Sequence, residues 1–152
     1  MCGATQVTDH PFAAVPPPAG PGVVRHWRAN YDNVPDSVGA ARDLARAFLT
    51  EAVDEVAPVS ERTMQDVLLV VSELVTNAAR HDGGPRMLDL ARTTEAVEVT
   101  VWDTSSQLPT RFPPDPARVG GHGIEIVTHL CSAFEAATVP GGKRVHARVA
   151  LA

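Results

Sequence analysis

A chain of 152 residues, 44% apolar and 20% charged, has the size and composition of one globular domain that can close a core without disulfides or metals. Its net charge of -5 argues against nucleic acid or an anionic membrane as a direct partner. Cys2 and Cys131 show no ligand spacing, no stretch reaches the roughly 18 apolar residues of a membrane span, and no signal-peptide run is present, so a reducing, cytoplasmic setting is expected.

Residues 1–22 are rich in Pro, Ala and Gly and carry Pro16-Pro17-Pro18, which reads as a disordered tail ahead of a single folded domain at 23–151. A short strand is expected over Val23–Ala29. Asp36 or Ser37 then caps a helix to about Ala52, with Val38, Ala41, Leu44, Ala45 and Phe48 as its buried stripe. Ser60 caps a second helix, carried to His81, with Glu61 in its first turn and Met64, Val67, Leu68, Val71, Val75 and Ala78 on its apolar side. Asp82-Gly83-Gly84-Pro85 ends it, because glycine and proline continue a helix only at a cost.

The period then falls from 3.6 to 2. Leu88, Leu90 and Arg92 mark one strand; Val97, Val99 and Val101 alternate with Glu98, Thr100 and Trp102 in the next, and Asp103 stands at its exit. From Thr104 to about Arg118 the chain is polar and proline-punctuated, a length typical of lids and binding segments. Gly121-His122-Gly123 leads into a helix over Ile124–Cys131. Strands over Phe134–Val139 and Lys143–Leu151 follow, joined by the Pro140-Gly141-Gly142 hairpin. In the last strand Val145, Ala147, Val149 and Leu151 face one way, and Arg144, His146 and Arg148 the other. The order β, α, α, β, β, loop, α, β, β predicts an α+β sandwich: a mainly antiparallel sheet with helices on one face.

Three constellations carry possible chemistry. Glu73, Asn77, Arg80 and His81 fall at i, i+4, i+7 and i+8, on one helix face roughly opposite the apolar stripe. Such a face is either simply solvated or suited to magnesium-phosphate work: a neutral oxygen for a hard cation, a carboxylate to orient a hydroxyl, a guanidinium for phosphate. Asp103 is either a turn-initiating residue or a fixed acceptor for an amino group such as that of adenine. The glycines at 121 and 123 serve either a turn or the close approach of a phosphate to a helix N-terminus.

As an ordered set these segments resemble a known superfamily. Ser72-Glu73-Leu74-Val75-Thr76-Asn77-Ala78-Ala79-Arg80-His81 is similar to the N box of the GHKL ATPases. Val101-Trp102-Asp103-Thr104-Ser105-Ser106-Gln107-Leu108-Pro109 resembles their first glycine box, and Gly121-His122-Gly123-Ile124-Glu125-Ile126-Val127 their second. With the final hairpin, the pattern looks like the short single-domain branch that includes anti-sigma factor serine-protein kinases. The resemblance implies a two-layer GHKL (Bergerat) sandwich that binds ATP and Mg²⁺. Asn77 would coordinate the Mg²⁺, and Glu73 would be the general base. Arg80 and His81 would lie beside the nucleotide, Asp103 would hold the adenine amino group, and Ser105 would belong to the same pocket. Gly121, His122 and Gly123 would form the phosphate lid. Three departures stand out: Ser105 and Gln107 replace both glycines of the first glycine box, Lys143 and Arg144 occupy the last hairpin where a threonine that contacts adenine is common, and the lid is compact and proline-rich.

The same resemblance implies an ATP-dependent kinase that phosphorylates serine on an anti-sigma-antagonist (STAS-type) protein and sequesters a sigma factor in turn, with homodimers common among its relatives. The alternative is a non-catalytic ATP-binding module acting by protein contact. A fragment of a two-component histidine kinase fits less well, since no helix bearing a phosphoacceptor histidine precedes the ATP domain.

Overall fold

The computed structural model describes residues 12, 15, 16, 18, 22–31, 36–51, 58–80, 85–105 and 123–151. Its elements are β1 (Val23–Asn30), α1 (Ser37–Thr50), α2 (Glu61–Ala79), β2 (Pro85–Thr93), β3 (Ala96–Asp103), α3 (Gly123–Leu130), β4 (Ala133–Val139) and β5 (Gly142–Ala150). The expected order and α+β class hold, with boundaries within one to three residues where both ends are described. The strands form a five-stranded sheet, β1-β2-β3-β5-β4, in which every pairing is antiparallel. Because β5 lies between β3 and β4, α3 carries the chain past the centre of the sheet before the last hairpin turns back into it.

Helix caps come from short polar side chains that satisfy free amides. Asp36, with φ 53°, accepts from the Gly39 amide at 3.2 Å, and Ser60 Oγ accepts from the Thr63 amide at 3.1 Å. At the other end of α1, the Arg25 guanidinium donates to the Phe48 and Glu51 carbonyls and stacks over the Trp27 and Phe48 rings, tying β1 to the helix terminus.

The core lies between the sheet and the helices. Val97, Val99, Val101, Val145, Ala147 and Val149 face α2, which also packs against α1 and α3. That crowding widens the buried arc of α2 beyond the expected stripe: Thr63, Val70 and Leu74 are buried as well. It also corrects the placement of the polar residues. Glu73 and Asn77 are half-buried at the border of that arc rather than on a fully solvated opposite face, because α3 crosses there.

The opposite side of the sheet is a layer of paired charges. Asp89 is buried and holds Arg28 through two hydrogen bonds, Nε to Oδ1 at 2.6 Å and Nη2 to Oδ2 at 2.8 Å. Arg28 also donates to the Val15 carbonyl at 2.7 Å, and its guanidinium lies over the Trp102 ring. Within the segment expected as a free tail, Phe12 is buried at 2% exposure against Met87 and Trp102, with Val15 beside them. A large aromatic gains more from covering those side chains than from water, and this holds the described part of the tail on the sheet. Burial pushes the Cys131 thiol up to about 11, so it stays protonated and inert at neutral pH. Among the described residues, no helix is long and apolar enough to cross a membrane.

Asp89→Ala removes the carboxylate that holds Arg28 and leaves the guanidinium its carbonyl partners at Val15 and Pro16; an unfolding titration in urea should show a loss of about 2 kcal/mol. Glu135→Ala, which removes a largely exposed partner of Arg144, should change stability by less than about 1 kcal/mol in the same assay.

Candidate functional site

The β3–β5 register sets the floor of the site. Asp103, the last residue of β3, pairs with Lys143 near the start of β5, one step on from Trp102 opposite Arg144. With a side-chain period of 2, Asp103 lies on the helix-facing side with Val99 and Val101, and Lys143 joins it there with Val145. The lysine Nζ lies 3.1 Å from Asp103 Oδ2, with the two side chains 0% and 2% exposed. Oδ1 accepts the Ser105 amide at 2.8 Å, a local turn that fixes the carboxylate and places Ser105 beside it. Gly142 makes this approach possible: at φ 156°, a Cβ there would fall 2.0 Å from the Asp103 carbonyl oxygen.

The wall is the junction of α2 and α3. Glu73 sits against the first residue of α3, where a Cβ on Gly123 would meet Glu73 Oε1 at 2.7 Å. A bare backbone at this position lets the helix start abut the carboxylate. Asn77 stands one turn further along α2. Among the described residues neither the Glu73 nor the Asn77 side chain has a hydrogen-bond or ion-pair partner. Polar groups half-buried and unspent are placed to meet something else. Arg80 closes α2 as its C-cap, its amide shared among the carbonyls of the last turn, and its side chain is exposed. His81, Gly121 and His122 lie outside the described residues.

The described contacts form two groups: Glu73 meets Gly123 where α2 packs on α3, and Asp103 meets Ser105 and Lys143 at the β3–β5 strand ends, in the sheet on which α2 packs. Lys143 is the residue that the sequence reading did not place in the site. Grooves elsewhere, one of about 410 Å³ over the outer face of the sheet and one of about 350 Å³ between α1 and α2, include none of these residues.

A family model described as a histidine kinase-like ATPase domain matches residues 34–149. The chain belongs to the histidine kinase-like ATPase family. No curated protein matches it closely enough to count as a relative. This family is of the GHKL type and binds ATP, usually with Mg²⁺. The donor set here fits that ion, since the Asn77 amide oxygen is a neutral hard ligand beside the Glu73 carboxylate. Among the described residues, no group of three or more His, Cys, Asp or Glu is gathered for another kind of metal.

Asn77→Ala removes that oxygen from a half-buried helix position without opening the core. Titration calorimetry should show ATP affinity falling at least about tenfold in the presence of Mg²⁺ and changing little in EDTA, with an unaltered unfolding curve.

Proposed function

We propose that this ATPase-family domain is an ATP-dependent protein-serine/threonine kinase of the anti-sigma factor type. It would phosphorylate an anti-sigma-antagonist (STAS-type) protein in the cytoplasm and bind a sigma factor in turn, so that transcription answers to the phosphorylation state of the antagonist. The observation that supports an enzyme over a passive ATP holder is Glu73. Its carboxylate has no structural partner among the described residues, sits at the helix start of α3, and lies one turn from Asn77. Binding a nucleotide does not require a free acid there; taking a proton from a hydroxyl does.

In this reading the serine Oγ attacks the γ-phosphorus in line as the bond from phosphorus to the ADP oxygen breaks, and the hydroxyl proton passes to a Glu73 carboxylate oxygen. Mg²⁺ held through Asn77 would supply positive charge to the phosphate oxygens. Asp103 fixes the base end of the nucleotide and Gly123 leaves room for the acid, so the chain contributes mainly position and a proton acceptor.

The test is incubation with labelled ATP and candidate STAS-type antagonists, read as phosphoserine. Wild type should transfer phosphate. Glu73→Ala should lower transfer at least about a hundredfold while ATP affinity changes by less than about fivefold, since a general base acts on the nucleophile. ATP binding without transfer to any antagonist leaves the alternative, a regulatory module that uses ATP only to set its shape for a partner.

A further inference from the structure

The outer face of the sheet carries a second, smaller apolar cluster, on the side away from Asp103 and Lys143. Phe12 closes over Met87 and Trp102 there, with Val15 and Val139 at the margins. None of the described residues 12, 15, 16 and 18 belongs to a strand. The segment is held instead by a turn from the Val15 amide to the Phe12 carbonyl at 3.1 Å and by the Arg28 guanidinium, which donates to the Val15 carbonyl at 2.7 Å and the Pro16 carbonyl at 3.3 Å. The seat itself is built from sheet residues that fix one another. Asp89 grips Arg28 through both of its oxygens, and the guanidinium lies over the Trp102 ring. The donors that meet Val15 and Pro16 are therefore oriented by the sheet and not by the segment.

Such a contact has the chemistry of peptide recognition. An aromatic side chain in an apolar seat supplies affinity, and a fixed guanidinium reads backbone carbonyls. Proline suits that reader, since it offers a carbonyl without an amide to satisfy and its fixed φ leaves less freedom to lose on docking. Beside the segment, a groove of about 410 Å³ runs from Val15, Pro16 and Pro18 across Trp102 to Arg144 and His146. A segment that sends a further side chain into this groove gains contacts beyond the Phe12 seat. We propose that this face is a docking site for a proline-containing segment of a partner protein, with an aromatic residue three positions ahead of an aliphatic-proline pair, and that residues 12–18 occupy it in cis as a built-in competitor. The partner's chemistry is set by the occupant: Phe12 fills the apolar seat, and Val15-Pro16 presents the carbonyls to Arg28. A tethered segment competes at an effective concentration in roughly the millimolar range, so the site answers only to a partner that outbids it.

The probe is a fluorescent synthetic peptide with the sequence of residues 9–20, titrated into the full-length chain and read as anisotropy. Phe12→Ala in the chain empties the apolar seat and leaves the sheet residues as they are. That variant should bind the probe at least about tenfold more tightly than wild type, in which the tethered segment competes. A probe carrying the same Phe12→Ala change should bind the variant at least about tenfold more weakly than the unaltered probe. If Phe12→Ala disturbs the unfolding curve, Phe12→Leu leaves a smaller apolar cover and should show the same order with a gap of about threefold. Equal binding of the probe to wild type and variant overturns the proposal, because the probe then sits elsewhere. Failure of the probe to bind either variant also overturns it, and makes residues 12–18 a fixed part of the fold. Concentration-dependent dimers of the Phe12→Ala chain that exclude the probe overturn it as well, since the face then takes a second copy.

Discussion

Two opposite charges buried at the end of a sheet hold each other in place. Neither Asp103 nor Lys143 is tolerable alone in the interior, where an unpaired charge costs several kcal/mol or more. Their meeting requires the antiparallel register of β3 and β5, and that register requires Gly142, because any side chain at that residue collides with the β3 backbone. The same register places Val99 and Val101 against Ala147 and Val145, the central part of the core on which α2 rests. The pair is thus a point at which sheet pairing, core packing and the chemistry of the site are settled together.

The second helix carries the complementary constraint. It packs against the sheet, α1 and α3, which buries one arc of the helix and leaves a half-buried polar border beside it. Glu73 and Asn77 occupy that border. A sequence selected for stability alone would fill it with apolar residues or pair the polar ones locally; here both side chains stay unspent among the described residues. Departures of this kind from local consistency are characteristic of functional sites. They gain meaning from α3, whose glycine start leaves room for the Glu73 carboxylate.

Much of this was legible in the residues. Asp36 and Ser60 announce the two long helices by their capping chemistry, and both caps form. The switch from period 3.6 to period 2 after α2 places the strands, and hairpin glycines place the last turn. Two features were missed for physical reasons. Phe12 lies in a proline-rich stretch whose composition argues for disorder, and only the exposed apolar surface of Met87 and Trp102 makes its burial worthwhile. Lys143 was read as the first residue of the last strand, standing where a threonine is common, and its burial was not foreseen because lysine is seldom buried. Its position was nevertheless encoded: stepping back by two from Val149, Ala147 and Val145 reaches Lys143, so strand alternation alone assigns it to the inner face. What the sequence could not supply was distance. That β5 inserts beside β3, bringing residue 143 to residue 103, is a property of the sheet order.

The nucleotide pocket we propose lies between α2, the start of α3 and the β3–β5 strand ends. Backbone amide chemical-shift mapping of the isotope-labelled protein during titration with Mg²⁺ and a non-hydrolysable ATP analogue tests it most directly. The predicted result is that the largest saturable perturbations fall at Asn77, Asp103, Ser105, Gly123 and Lys143, with small changes at Asp89 and His146 on the outer face of the sheet. Perturbations centred instead on the outer groove around Pro16, Trp102 and His146, or no saturable change anywhere, would contradict the account.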